Sequence, residues 1–246
     1  MDKTIICEQL TKQFGDFRAV DGISFHVNAG EIFGFLGANG AGKTTAMRML
    51  CGLSIPSSGS ATVAGFDVYK QTENIKRKIG YMSQKFSLYE DLTVKENIEF
   101  FGGIYGLSNQ QLRQKSEQLI DKLELGSVAN SLVSGLPLGW KQKLAFSVSV
   151  LHEPRIVFLD EPTGGVDPIT RRQFWDLIYE VAAAGVTVFV TTHYMDEAEY
   201  CNRVSIMVDG KIEALDTPGA LKQQFSAIDM DEVFYALARR AQRQAD

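Results

Sequence analysis

Nowhere in these 246 residues is there a run long and apolar enough to cross a bilayer. A span needs about 20 mostly apolar residues. The uncharged stretch from Val181 to Met195 holds 15, and Gly185, several threonines and His193 break it. The opening Met1-Asp2-Lys3-Thr4 lacks the pattern of a secretory leader. Cysteine is scarce: Cys7, Cys51 and Cys201 lie far apart and match no zinc spacing. An odd, scattered set suits a reducing compartment, with the thiols buried as structural residues. Positive charge is also in short supply. Lys and Arg number 25 against 30 Asp and Glu, and the net charge is −5. That balance argues against a free nucleic-acid binder, which carries a basic footprint. The one basic cluster, Arg239, Arg240 and Arg243, reads as a solvated helix face. No repeat or low-complexity linker divides the chain. Its length allows one large domain, or a domain with a subdomain.

What is present is more specific. Gly37-Ala38-Asn39-Gly40-Ala41-Gly42-Lys43-Thr44 reads G-x-x-x-x-G-K-[ST], the phosphate-binding P-loop. An apolar run, Glu31 to Leu36, precedes it, and a helical pattern, Lys43 to Cys51, follows. The glycines let the backbone fold into a nest of N–H donors around a polyphosphate. The helix start adds positive potential. Lys43 can neutralise charge at the β- and γ-phosphates, and the Thr44 hydroxyl can hold Mg²⁺. A glycine-rich turn before a helix is the plain alternative, and the flanking strand and helix argue against it.

The rest alternates between two patterns. Thr4–Leu10, Gly22–Val27 and Ala61–Ala64 read as strands of an antiparallel sheet beside the P-loop. Thr93-Val94-Lys95-Glu96 and Ser108-Asn109-Gln110-Gln111 are capping boxes that open helices. A third helix is expected from Gly139 to His152, so residues 90–150 read as all-helical. Ile156–Leu159 and Val186–Val190 are apolar enough for buried parallel strands. Between them, Asp167-Pro168 caps a helix that Gly185 ends. Val204–Val208 and Lys211–Leu215 around Asp209-Gly210 predict a hairpin with a type I′ turn. Thr217-Pro218 opens another helix, and 229–243 reads as a terminal amphipathic one.

The strand Ile156–Leu159 ends in Asp160-Glu161-Pro162. An Asp at a strand end can hold Mg²⁺ through water, the Walker B role. A Glu beside it can act as general base on the attacking water. An acidic strand-to-turn junction is the alternative, which the P-loop upstream outweighs.

With these residues the chain resembles the ATP-binding-cassette (ABC) ATPases over nearly its whole length. Walker A (37–45, including Thr45) and Walker B (156–161) stand in the family order. Tyr81-Met82-Ser83-Gln84 resembles the Q-loop, whose glutamine in that family reaches Mg²⁺ and the attacking water. Gly164-Gly165-Val166-Asp167-Pro168 is similar to the D-loop. Thr191-Thr192-His193 resembles the H-loop, which implies that His193 contacts the γ-phosphate. Phe14 stands where the family places an aromatic that stacks on adenine. The resemblance implies a P-loop NTPase (RecA-like) α/β core, a small antiparallel β subdomain and an all-helical insertion. It divides the chain into core and β subdomain (1–89 and 151–228), insertion (90–150) and C-terminal helix (229–246). It further implies two ATPase subunits sandwiching ATP and Mg²⁺, and a separate integral-membrane permease on which the cytoplasmic chain docks at the inner face. The docking contacts implied are the Q-loop and Ile98, Phe100, Phe101, Ile104 and Tyr105, a stretch that reads equally well as insertion core.

One motif departs from the family. Its signature is L-S-G-G-Q at a helix start, facing the partner's ATP. Leu136-Pro137-Leu138-Gly139-Trp140 stands at the matching spacing. Pro137 offers neither hydroxyl nor N–H, so phosphate donors are lost there. Gly139 and the helix start could still face phosphate. A second alignment uses Val133-Ser134-Gly135. Homodimer and pairing with an intact ATPase both stay open. Within the family the stretches Gln84–Asn97 and Thr192–Glu199 resemble ATPases of the ABC-2 type exporters, the drug-efflux group. Two other readings are a soluble cassette ATPase acting on ribosome or nucleic acid, and a weakly hydrolysing regulatory subunit.

Overall fold

The computed structural model describes residues 2–84 and 88–245, with side chains through residue 239. Lys85, Phe86 and Ser87 of the subgroup stretch, and the side chains of Arg240 and Arg243, lie outside the described residues. In chain order come β1 (Lys3–Phe14), β2 (Phe17–Asn28), β3 (Ile32–Leu36), α1 (Lys43–Leu50), β4 (Ser58–Val63), β5 (Phe66–Asp67), α2 (Thr72–Lys76) and β6 (Ile79–Met82). Then follow α3 (Val94–Ile104), α4 (Asn109–Lys122), α5 (Leu138–Ser149), β7 (Ile156–Asp160), α6 (Pro168–Ala183) and β8 (Thr187–Thr192). The chain ends with β9 (Arg203–Val208), β10 (Lys211–Asp216), α7 (Pro218–Phe225) and α8 (Met230–Ala245).

Two sheets form among the described residues. A four-stranded antiparallel sheet has the order β2-β1-β4-β5. A six-stranded sheet has the order β10-β9-β3-β8-β7-β6, parallel from β9 to β6. The parallel strands are apolar at almost every position, and period-two alternation splits their side chains between two cores. Phe33 and Phe35 of β3, Phe158 of β7 and Phe189 of β8 face the antiparallel sheet, where Phe25 of β2 meets them. Val157, Leu159, Val188 and Val190 face the opposite way, onto Leu144, Phe146, Phe174 and Trp175 of α5 and α6. The P-loop helix α1 thus lies in one core and α5 in the other.

The expected elements are present, with differences of extent. β1 runs past Leu10 to Phe14. Its alternation breaks at a register shift between Cys7 and Leu10, where Gln9 takes φ 49°. The bulge restores Leu10 to the core. Polar residues beyond it hid the continuation. Both capping boxes form, at Thr93/Glu96 and Ser108/Gln111. Asp167 accepts from the N–H groups of Ile169 and Thr170. Asp209 and Gly210 have φ 45° and 81°, the pair of positive values that a type I′ turn requires.

The segment from α3 to α5 carries helices and 3₁₀ turns, with one isolated bridge between Thr93 and Leu132. Two residues of the expected docking stretch need correction. Ile98 is fully buried, and the Tyr105 ring stacks on His152 with centroids 3.8 Å apart. Both are packing residues, because one face of α3 must close on α4 and α5. Phe100 and Ile104 are exposed, and Tyr89 packs edge-on against Phe100 at 4.9 Å.

Thr93→Ala removes the hydroxyl that accepts from Glu96 N–H and leaves the Glu96 carboxylate without its hydroxyl donor. The expected loss of stability is about 1 kcal/mol. It should appear as a lower urea midpoint at unchanged slope.

Candidate nucleotide site

Parallel pairing decides which residues meet. β3, β8, β7 and β6 are neighbours, and their carboxyl ends share one edge: Leu36 pairs with Thr192, Asp160 with Thr191, and Met82 with Leu159. Ligands of open α/β sheets bind at that edge. The P-loop leaves β3, Gln84 follows β6, Asp160 ends β7 with Glu161 next, and His193 follows β8. Residues far apart in sequence therefore converge.

The P-loop backbone is fixed by close approach. Gly42 takes φ 104°, and a Cβ there would lie 2.2 Å from the Ala19 carbonyl oxygen. A Cβ on Gly37 would lie 2.4 Å from the Met207 carbonyl oxygen. Only glycine allows this path, which aims the start of α1 and its N–H groups at the groove. Lys43 is 4% exposed, and its Nζ donates to the carbonyls of Gly37 at 2.8 Å and Ala38 at 3.1 Å.

Glu161 is the centre of the arrangement. Its Oε1 lies 3.4 Å from Lys43 Nζ. Its Oε2 accepts from Gln84 Nε2 at 3.0 Å and lies 2.9 Å from His193 Nδ1. Its φ of 48° puts a side chain-bearing residue in the left-handed region, a strained conformation that surrounding bonds must hold. The Glu161 N–H donates to both the carbonyl and the hydroxyl oxygen of Thr191 at 3.1 Å. Asp160, 2% exposed, accepts from Thr191 Oγ1 at 2.7 Å and from Thr44 Oγ1 at 3.1 Å on one oxygen. Burial raises the Asp160 pKa, and the two hydroxyl bonds oppose the shift. Burial lowers the Lys43 pKa, and Glu161 opposes it.

The donor set suits a hard cation. Thr44 Oγ1, Asp160 and the Gln84 amide oxygen could serve as oxygen ligands, and among the described residues no group of three or more His, Cys, Asp or Glu could cage a metal. Mg²⁺ characteristically takes one or two carboxylates and completes its shell with water and substrate phosphates. The residues fit such a shared ion. Asn39, Gly40, Gly42, Lys43, Thr44 and Thr45 line a groove of about 290 Å³ with Gln84 and Glu161 at its end.

Other expected residues are placed differently. Phe17, not Phe14, lines the groove. Phe14 pairs with Phe17 across the Gly15-Asp16 turn and has Lys12 Nζ 5.0 Å from its ring centre. Both rings are largely exposed, at 54% and 65%. The family resemblance implied Phe14, and the aromatic just past the turn was the missed signal. Pro137 is the N-cap of α5 and Gly139 lies in its first turn; neither lines this chain's groove. Gly139 packs so close to α6 that a Cβ would meet Thr170 at 2.5 Å. Val133–Gly135 forms a separate 3₁₀ turn, so the helix start belongs to the Leu136–Trp140 alignment. Sequence reading passed over Gln142. It is buried, and its Nε2 donates to the Gly164 carbonyl at 3.0 Å. It lines, with Leu138, Gln84 and Glu161, a second cavity of about 240 Å³ behind the groove.

The chain has matches among known proteins. Residues 20–164 match the family model described as ABC transporter. The chain belongs to the ABC transporter family. This cassette is 50% identical over 223 residues to the probable multidrug ABC transporter ATP-binding protein YbhF of Escherichia coli K12. That match covers 91% of the chain and 39% of the relative, so the chain spans about two fifths of that protein's length. It is 36% identical to the Nod factor export ATP-binding protein I of Paraburkholderia xenovorans LB400, over 92% of the chain and 75% of the relative. A dimeric ATP-binding cassette in a post-hydrolysis state, bound to ADP and Pi, superposes with a TM-score of 0.78 at 25% identity. It covers 87% of this cassette and 98% of the solved chain.

Asp160→Asn removes an anion that burial disfavours. At neutral pH the ionised form carries that penalty, so the neutral amide should raise the thermal midpoint, by about 2–4 °C for each kcal/mol relieved. Calorimetry of the nucleotide-free chain checks it. A lower midpoint would show that Lys43 and the two hydroxyls hold the anion more strongly than burial opposes it.

Proposed function

We propose that the chain is the ATP-binding and ATP-hydrolysing subunit of an ABC transporter, coupling ATP-driven pairing of two such subunits to export through a membrane permease of the ABC-2 type. One observation carries the reading: a single carboxylate, Glu161, touches the P-loop lysine, the Q-loop glutamine and the H-loop histidine together. A general base of this kind must stand within reach of a water at the γ-phosphate end of the groove.

In this reading Gly37 to Thr45, with Ala38, Asn39, Gly40, Ala41 and Gly42, wrap the phosphates, and Lys43 meets the β/γ oxygens. The base lies against the hairpin tip that carries Phe14 and Phe17. Thr44 and Gln84, with Asp160 through water, would hold Mg²⁺, which would supply positive charge against the phosphates. Glu161 orients the attacking water and takes its proton. The water oxygen bonds to the γ-phosphorus as the bond to the bridging oxygen of ADP breaks. His193 holds the γ-phosphate end and stays hydrogen-bonded to Glu161. The relatives support the transport role, since they include a probable multidrug ABC transporter ATP-binding protein and a Nod factor export ATP-binding protein. The dimer with ADP and Pi supports a two-subunit site. There Pro137 and Gly139 at the start of α5 would face the partner's nucleotide. Exposed Leu138 and Ile169 beside that helix start suit such a contact. Pro137 favours one further reading: this subunit forms half of an asymmetric pair whose other ATPase carries a full signature. The chain would then sit in the cytoplasm on the inner membrane face, with Tyr89, Phe100 and Ile104 against the permease.

The complex purified through a tag on this chain should release phosphate from ATP in a Mg²⁺-dependent way; no release overturns the reading. Lys43→Ala should raise the nucleotide Kd about tenfold to a hundredfold, as expected for a lost charge-assisted hydrogen bond. Phe100→Ala with Ile104→Ala should lower transport in vesicles and spare hydrolysis. Equal loss of both activities would place these residues in the ATPase fold instead.

A further inference from the structure

The groups at the phosphate end of the groove sit on two short connections. Glu161-Pro162-Thr163 leaves β7, and His193-Tyr194 leaves β8. The ladder between β7 and β8 ends at the bond from the Glu161 N–H to the Thr191 carbonyl. Behind both, on the side away from the P-loop, lies a buried polar cluster to which no role has yet been given. Glu197, in the 3₁₀ turn Met195–Tyr200, is 0% exposed. The Thr163 hydroxyl donates to its Oε1 at 2.6 Å. Arg171 of α6 brings Nε to 3.6 Å from the same oxygen and Nη1 to 3.3 Å from Asp196. The Arg171 guanidinium carbon also lies 4.2 Å from the centre of the Tyr194 ring, and that ring lies 4.2 Å from the His193 imidazole. Among the described residues the other Glu197 oxygen has no hydrogen-bond partner, and neither does Arg171 Nε within hydrogen-bond geometry.

Such a cluster is a poor way to stabilise a fold. A buried ion pair with unsatisfied atoms is commonly matched or bettered by apolar packing of the same volume. Its value lies in register, because beyond the Glu161–Thr191 bond no backbone ladder among the described residues joins the two loops. Thr163 is two residues from Glu161, and Tyr194 is next to His193. Glu197 and Arg171 bridge the two.

We infer that Thr163, Arg171 and Glu197 form a clip that sets His193 against Glu161, and that they act as positioning residues for hydrolysis without touching substrate. The inference rests on the hydrolytic reading above. The clip holds the His193–Glu161 contact at 2.9 Å from behind, so the base keeps its orientation while the groove side stays free for phosphate. ATP is bound by the P-loop, which the clip does not contact, so binding and turnover should separate.

The test is steady-state hydrolysis by the tagged complex carrying Thr163→Val, an isosteric change that deletes the hydroxyl. A misplacement of about 1 Å at a reacting centre costs on the order of a hundredfold, so kcat should fall about tenfold or more while KM for ATP changes less than about twofold. Thr163→Ser restores the hydroxyl and should restore kcat. A packing role would lower the melting temperature and the folded fraction, and would leave kcat per folded site unchanged. Should the valine variant fail to fold, Arg171→Lys supplies the answer. It keeps the charge, loses the planar contact with Tyr194, and should show the same split. Wild-type hydrolysis with kcat unchanged in the folded variants overturns the clip alone. Absence of wild-type hydrolysis overturns the hydrolytic reading and the clip with it.

Discussion

Glu161 and Lys43 lie 3.4 Å apart at the carboxyl edge of a parallel sheet, both nearly out of water, with Asp160 buried beside them. Charges removed from water need partners, and here each partner belongs to a different strand end. The lysine comes from the loop after β3, the carboxylates from β7, the histidine from β8 and the glutamine from β6. The register of four neighbouring strands is therefore what the site depends on. A slip of one residue in β7 would turn Asp160 away from Thr44 and Thr191. The aromatic layer of Phe25, Phe33, Phe35, Phe158 and Phe189 holds that register from beneath. Core packing and catalytic geometry are thus one problem in this molecule.

The arrangement also suits a part that must move. Gln84 touches Glu161, Gln142 touches Gly164, and both line the cavity behind the groove. The Gln142 bond links α5 to the turn that follows the base, and the Gln84 bond links the end of β6 to the base itself. The Gln142 bond is of ordinary strength, about 0.5–1.5 kcal/mol, and the Gln84 bond to a carboxylate is about 1.5–3 kcal/mol, so both can be exchanged without unfolding either side. A shift of α5 relative to the sheet would be felt at Glu161 through them, while the strand register stays fixed. The strain at Glu161, with φ 48°, sits at the junction of these two regions.

Much of this was legible in the sequence because the decisive signals are local. The P-loop spelling, the two capping boxes, Asp167-Pro168 and Asp209-Gly210 each depend on a few adjacent residues, and each folds as its chemistry predicts. What stayed hidden depends on contacts across the chain. The extension of β1 beyond Leu10 lies past a bulge that breaks alternation. Ile98 and Tyr105 share an apolar stretch with Phe100 and Ile104, and only packing separates the buried pair from the exposed pair. Phe17 enters the groove because the β1–β2 turn carries it there, whereas the family resemblance implied Phe14. Gln142 reads as an ordinary polar helix residue until its burial is seen, and no local pattern marks Glu197.

The central claim is that the Glu161 carboxylate is the base of an ATP-hydrolysing site. The most direct measurement is the identity of the nucleotide held by the Glu161→Gln complex after incubation with Mg²⁺ and ATP labelled at the γ-phosphate. The amide keeps the size and the contacts with Gln84 but cannot take a proton from water. The account predicts that bound nucleotide stays as ATP, with turnover lowered about 10²- to 10⁴-fold, the usual contribution of a general base. Bound ADP, formed at the wild-type rate, would contradict it.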